Sequence, residues 1–265
     1  MTPDNPSLVV EQRDSILWVR LNRPQAFNAL TPDMVEQMDA ALSAAEAPSV
    51  RALVITGDGP AFCAGADLKA VLEADQGRDA GAALKLFLER AGAVFSRLEQ
   101  FPKPTIAALN GVTMAGGLEV ALCCDFIVAD PRARLGEGHA KYAQLPGGGG
   151  SVRLPRRIGV ARAKYLMFTG ELLSAATAWQ WQLVDLLSEP ENLRGCVEEL
   201  VARCNDKSAL GLGRMKRLLQ QGLAQPLEVA LRAEIDMCEL HAHSHDRNEG
   251  LAAFAQKRQP RYLGA

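Results

Sequence analysis

The chain has 265 residues, a formal net charge of −2, and 48% hydrophobic and 23% charged residues. This is the composition of an ordinary folded protein, long enough to bury a substantial core. The charge argues against a general attraction to nucleic acids, and no apolar run approaches the roughly 20 residues that cross a bilayer. We therefore expect a cytoplasmic protein that binds neither nucleic acid nor membrane.

The first part of the chain alternates between strand and helix patterns. Residues 7–24 predict two strands around a polar turn, and residues 31–47 predict a helix. Thr31 is the expected N-cap of this helix, and Pro32 occupies its first position. Residues 50–59 then predict a short buried strand.

The same alternation continues in the middle of the chain. Residues 70–83 combine charge with glycine, which indicates a mobile connection, and residues 84–101 predict a helix packed on the core. A strand is expected at 103–111, a helix at 115–124 and another strand at 125–130. The order favours stacked βαβ-like units in an α/β fold.

After about residue 160 the strand patterns end and successive helices follow. We expect a core over residues 1–200 and a helical region over residues 201–265. His241 and His245 stand four residues apart, one turn of a continuous helix, and such a pair could hold a divalent metal. No third ligand is evident, so we expect no metal site.

Two segments, residues 61–70 and 108–122, each run from a strand through a turn of small residues into a helix. Such turns leave backbone N–H groups at the helix start without internal partners, which favours an anion there. Facing each other they would form an oxyanion hole, and tight packing alone is the alternative. Glu119 lies in the first turn of the second helix among apolar neighbours, where a carboxylate needs a partner or a task.

With these two turns, three further segments give the chain a resemblance to the crotonase, or enoyl-CoA hydratase/isomerase, superfamily: LNRPQAFNAL, LPGGGGSVRLPRRIG and EGLAAFAQKRQP. The resemblance covers nearly the whole chain. It implies an α/β fold built as a crotonase-like spiral of ββα units with a helical C-terminal trimerisation region. It also implies a homotrimer or a hexamer made of two trimers, a coenzyme A thioester as substrate, and no separate cofactor.

The resemblance also implies roles for individual residues. The N–H groups of Ala66 and Gly116 would hold the thioester carbonyl and stabilise an enolate-like state, and Glu119 would act on the substrate. The residues implied in binding coenzyme A are Ala64, Asp67, Leu68, Lys69, Phe254 and Lys257, of which the last two would reach it from a neighbouring subunit.

The chain departs from the family pattern at His139. Family hydratases carry two glutamates that share a water; one matches Glu119, and His139 stands at the position of the other. Imidazole has an ordinary pKa of about 6.5 and can move protons near neutral pH. The pair could orient water and exchange a proton at the α-carbon, one group could take a proton while the other holds the substrate, or His139 could only shape the pocket. A second departure is Gln182, where the family has glycine in a turn.

The leading hypothesis is an enoyl-CoA hydratase, or hydratase-lyase, that adds water across a conjugated C=C bond. A double-bond isomerase and an acyl-CoA hydrolase of the same superfamily stay open as alternatives. So does a non-catalytic protein that only binds acyl-CoA. The acyl group is undetermined, although Met114, Phe87 and Leu88 are candidates to border its pocket.

Overall fold

The computed structural model describes residues 6–74 and 79–265. The strands in these residues are β1 (Leu8–Arg13), β2 (Ile16–Leu21), β3 (Ala52–Gly57), β4 (Ala61–Cys63), β5 (Thr105–Leu109), β6 (Val112–Met114), β7 (Phe126–Ala129), β8 (Arg134–Gly136), β9 (Leu173–Ser174) and β10 (Leu186–Leu187). The α-helices are α1 (Pro32–Ala45), α2 (Leu68–Ala74), α3 (Ala80–Glu99), α4 (Gly116–Leu122), α5 (Gly150–Ile158), α6 (Val160–Thr169), α7 (Ala175–Gln180), α8 (Leu193–Asn205), α9 (Ala209–Gly222), α10 (Leu227–Ala242) and α11 (His245–Ala255).

The strands form two sheets. The first has the order β1-β2-β3-β5-β7-β10, and the second has the order β4-β6-β8-β9. In the first sheet β1 is antiparallel to β2, and the remaining neighbours are parallel. Consecutive strands form pairs that place one strand in each sheet, and a helix follows each pair. The pairs are β3 with β4, β5 with β6, and β7 with β8. The repeated ββα unit that the family resemblance implied is therefore confirmed.

The start of α1 is as predicted. The Thr31 hydroxyl accepts a hydrogen bond from the Met34 N–H at 3.1 Å, and Pro32 is the first helical residue. A capping hydroxyl satisfies a backbone donor that the helix itself cannot pair. The apolar stripe of α1 is buried, with Met34 fully inaccessible and Met38 at 3% exposure.

The mobile connection predicted over residues 70–83 is wrong for the described part of that segment. Helix α2 continues to residue 74 and α3 begins at residue 80; residues 75–78 lie outside the described residues. Val71 and Ala83 are buried, at 2% and 4% exposure. The Asp79 carboxylate caps α3 by accepting hydrogen bonds from the backbone of residues 81 and 82, at 2.9 and 3.0 Å. Burial and capping stabilise helices that the local charge and glycine content disfavour.

The described chain divides into two compact units. One comprises residues up to 99 together with 105–199, and the other comprises 100–104 and 200–265. The second unit contains α9, α10 and α11. No helix within residues 6–74 and 79–265 combines the length and apolar character that a membrane crossing needs.

The predicted pairing of His241 and His245 on one helical turn is wrong. Helix α10 ends at residue 242, and Ser244 caps a new helix, α11, that begins at His245. The Nδ1 atom of His241 lies 2.8 Å from a guanidinium nitrogen of Arg214. The serine between the two histidines, a strong N-cap residue, is the sequence signal that separates them.

Candidate active site

The two turns predicted to present backbone donors lie against each other. A Cβ atom on Gly116 would stand 3.4 Å from the backbone nitrogen of Ala66, so the two N–H groups border the same small space. Within the described residues, neither N–H donates to a protein acceptor. Backbone amides without a protein acceptor, beside the start of a helix, suit a carbonyl oxygen that gains negative charge.

Each donor follows a residue with positive φ. Gly65 has φ +116°, and Ala115 has φ +50° at the start of α4. A Cβ on Gly65 would lie 3.1 Å from the Cβ of Ala115, so the two turns are in direct contact. The left-handed region is uncommon for alanine, and such backbone strain clusters at functional sites.

Glu119 is buried on α4, with 4% of its surface exposed. Its Oε1 atom accepts backbone hydrogen bonds from Gly148 at 2.9 Å and from Gly150 at 2.8 Å. A Cβ on Gly148 would come within 2.6 Å of Oε2, which only glycine avoids. The run of four glycines therefore fixes the carboxylate through one oxygen and leaves the other available.

His139 begins a short 3₁₀ helix, and the Glu137 carboxylate contacts both the ring and the backbone of His139. One Glu137 oxygen pairs with the Nδ1 atom of His139, and the other accepts its backbone N–H at 3.2 Å. Gly138 permits this fold-back with φ +71°, because side chains rarely adopt that angle. Both side chains are shielded, at 15% exposure for His139 and 3% for Glu137.

Glu119 and His139 both have pKa values above their ordinary values. Burial raises the pKa of Glu119 above its ordinary 4.5, although hydrogen bonds from Gly150 and Gly148 and the charge of His139 oppose the shift. Burial alone would lower the pKa of His139. The hydrogen bond to Glu137 and the charges of Glu137 and Glu119 outweigh it, so the pKa of His139 lies above its ordinary 6.5. Perturbed groups in one cavity are typical of acid–base sites.

These groups share a cavity of about 500 Å³, within the usual range for a small-molecule site. Seven of the ten residues proposed from the sequence line it: Ala64, Ala66, Asp67, Leu68, Gly116, Glu119 and His139. Met114, Phe87 and Leu88 line it as well.

The coenzyme candidates at the edge of this cavity have limited polar groups to offer. The backbone N–H groups of Ala64, Asp67 and Leu68 are all engaged within the protein, so a ligand would meet carbonyl oxygens there. The Asp67 carboxylate pairs with Arg23 at 3.0 Å and caps α2 at the Ala70 N–H.

Three of the residues expected to bind coenzyme A do not line this cavity. Lys69 is off the cavity lining, and its exposed ammonium stands 3.7 Å from Glu73. Phe254 and Lys257 belong to the second compact unit, where both are exposed, with Phe254 at 86%.

Sequence reasoning missed Glu137, Gly148 and Gly150. The signal for Glu137 was local: a carboxylate two residues before a histidine, separated by a glycine that allows a fold-back. The contact between Glu119 and Gly148 spans 29 residues of chain, and no short pattern reports it.

Two backbone donors, a carboxylate and an imidazole around one cavity define the class of site that stabilises an oxyanion and transfers protons. The model of the family described as enoyl-CoA hydratase/isomerase matches residues 11–265. The chain belongs to the enoyl-CoA hydratase/isomerase family, which confirms the resemblance seen in its sequence.

The chain is similar to named relatives over almost its full length. The chain is 33% identical to a crotonyl-CoA hydratase of Syntrophomonas wolfei, covering 97% of this chain and 98% of that protein. It is 35% identical to a 2,3-dehydroadipyl-CoA hydratase of Escherichia coli over the same shares. The crystal structure of an enoyl-CoA hydratase from Bacillus anthracis matches with a TM-score of 0.90 and 33% identity, covering 98% of this chain and all of that one. The predicted crotonase-like fold is thereby confirmed.

Proposed function

We propose that the protein is an enoyl-CoA hydratase that adds water across the conjugated C=C bond of an acyl thioester. The observation that carries the proposal is the placement of the unpaired Ala66 and Gly116 N–H groups in the cavity that also holds Glu119 and His139. The two N–H groups would bind the thioester oxygen and stabilise the negative charge that forms there.

The chemistry divides between the two proton-transfer groups. Ionised Glu119 takes a proton from a water molecule as the water oxygen bonds to the β-carbon. Electrons of the C=C bond move toward the thioester, and the oxyanion hole holds the resulting enolate. The protonated His139 then gives a proton to the α-carbon, so one water is gained overall. Solvent exchange returns both groups to their starting forms.

The lining of the cavity supports a neutral acyl group. Its wall includes the apolar side chains of Leu84, Phe87, Leu88, Phe95 and Leu145. Within residues 6–74 and 79–265, no lysine or arginine lines it. A second carboxylate on the acyl chain would lose hydration without gaining a lysine or arginine partner, which is costly. We therefore expect crotonyl-CoA and longer unbranched enoyl thioesters to react better than thioesters of unsaturated dicarboxylic acids.

The second unit supports an oligomer. Four apolar side chains are between 60% and 84% exposed: Leu219 on α9, Leu223 at the C-cap of α9, and Leu227 and Ile235 on α10. Exposed apolar side chains in such number are typical of an interface. We propose a homotrimer, alone or paired into a hexamer, in which Phe254 and Lys257 reach the coenzyme of a neighbouring subunit. Light scattering on the purified protein measures the mass directly. A cytoplasmic location stays a prediction.

The proposed function is tested by product identity. The protein is incubated with saturated and α,β-unsaturated acyl-CoA thioesters in deuterated water, and products are read by mass spectrometry. Gain of one water by the enoyl thioesters alone supports hydration. Deuterium uptake without water indicates an isomerase, and free coenzyme A indicates a hydrolase. No conversion of any thioester, with retained binding, indicates an acyl-CoA-binding protein.

A further inference from the structure

Glu137 is a buried carboxylate whose hydrogen bonds go to a single neighbour. Both of its oxygens contact His139, and no other donor within the described residues reaches them. Its side chain is 3% exposed and is not part of the cavity lining, whereas His139 lines the cavity. A buried carboxylate is costly unless a partner compensates it, and here the compensating group is the imidazole.

The contact fixes which ring nitrogen meets the substrate. Glu137 engages Nδ1, so that nitrogen carries a proton directed at the carboxylate, whether the ring is neutral or charged. The Nε2 atom is left for the cavity. The backbone N–H of His139, held by the second oxygen at 3.2 Å, prevents the ring and the chain from turning independently.

We propose that Glu137 is a positioning residue that sets the tautomer and orientation of His139. The inference rests on the proposed function for the identity of the reaction. In this role Glu137, which lies outside the cavity, directs the Nε2–H of His139 toward the α-carbon of the substrate. The imidazole at this position would then replace a carboxylic acid as the proton donor without losing a fixed geometry.

Other titratable groups surround the ring. Glu119, Asp67 and Tyr142 line the same cavity. Lys141 stands in the same 3₁₀ helix as His139, and α6, which packs against that helix, carries Arg162 and Lys164. Asp67 is paired with Arg23, which leaves Glu137 and Glu119 as the charges that act on His139. Removal of the Glu137 charge should therefore make the ring easier to deprotonate.

The first test is spectroscopic and needs no turnover. The protein has four histidines, so the ring of His139 is assigned in ¹⁵N spectra by its loss from His139→Ala. In the wild type we expect an Nδ1–H form and a pKa above 6.5. Glu137→Gln should lower that pKa and mix the tautomers, whereas Glu137→Asp should retain part of the shift. An unchanged tautomer and pKa in Glu137→Gln would overturn the proposal.

The second test is kinetic. Glu137→Gln should lower kcat for hydration by about 100-fold with little change in KM, and should move the alkaline limb of the pH profile to lower pH. In a His139→Ala background the same change should have no further effect, because a positioning residue acts through its partner. An equal loss in both backgrounds would indicate a purely structural role and would contradict the proposal.

The matched control is Asp130→Asn. Asp130 is also a buried carboxylate, at 3% exposure, and it is paired with Arg132 away from this cavity. This variant should lose stability but keep the His139 tautomer. Should the wild type hydrate no thioester, the proposed function fails, while the ¹⁵N spectra still decide the role of Glu137.

Discussion

Gly148 donates its backbone N–H to the Glu119 carboxylate at 2.9 Å, and a Cβ atom at Gly148 would stand 2.6 Å from the second oxygen of that group. The same residue thus holds Glu119 and makes room for it. We expect Gly148→Ala to push the carboxylate out of line and to lower kcat by about 100-fold, since misplacement of a reacting group by an ångström has this order of effect. Steady-state kinetics with crotonyl-CoA measures it.

The matched control for this change is Gly92→Ala. Gly92 lies inside α3, and a Cβ there meets nothing within 4 Å. Alanine is the better helix former, so we expect the free energy of unfolding to rise by about 1 kcal/mol and kcat to be unchanged. Equal activity in Gly148→Ala and Gly92→Ala would show that the carboxylate tolerates displacement.

Gly116→Ala tests the oxyanion hole. The added methyl group would lie 3.4 Å from the Ala66 nitrogen, an ordinary van der Waals contact, so the fold should accommodate it. It would crowd the space where a thioester oxygen meets both donors. Loss of this stabilisation should lower kcat by about 100-fold, with thermal stability close to that of the wild type. Normal turnover by a folded Gly116→Ala variant would place the oxyanion elsewhere.

The pH profile of kcat/KM should be bell-shaped. Glu119 must be ionised, and its pKa lies above 4.5, so activity should be lost as pH falls toward that value. His139 must be protonated, and its pKa lies above 6.5, so activity should persist past 6.5 and then fall as pH rises. The limbs report the coupled pair, not single residues. Activity that rises steadily through the histidine range would instead indicate neutral imidazole acting as a base.

Much of this site could be predicted from local sequence. The turns before Ala66 and Gly116, the helix that carries Glu119 and the unusual His139 are all visible as short patterns. Their convergence on one cavity follows from the order of strands in two sheets, which the family resemblance implied and no single segment reports. The hydrogen-bond partners of Glu119 come from a glycine run about 30 residues later. Local secondary-structure propensities carry no information about such a contact.

The wrong prediction over residues 70–83 has a physical cause. Residues 70–83 were expected to be a mobile connection because their charge and glycine content is poor for helices. Val71 and Ala83 are nevertheless buried in α2 and α3. Tertiary burial of a few apolar positions, with a cap such as Asp79, outweighs weak local preference.

Gln182, the second departure from the family pattern, has φ +63° just after α7 and an exposed side chain. The left-handed conformation costs a non-glycine residue roughly 1–2 kcal/mol, and glycine loses roughly 0.5–1 kcal/mol through its greater freedom in the unfolded chain. Gln182→Gly should therefore raise the free energy of unfolding by up to about 1 kcal/mol. Denaturant melts measure it.

Its control is Gln180→Gly, an exposed position that is the last residue of α7. Glycine there should destabilise the protein by about 1 kcal/mol, because the backbone is already in its preferred helical form. Destabilisation of similar size by both changes would mean that Gln182 carries no strain.

In the proposed mechanism Glu119 takes the proton from the attacking water, and Glu119→Gln is the variant that examines this role. The amide keeps the size and the hydrogen-bonding oxygen but cannot accept that proton. We expect the rate of crotonyl-CoA hydration to fall by at least about 100-fold while the Kd for the thioester changes little. Hydration at the wild-type rate by Glu119→Gln would contradict it.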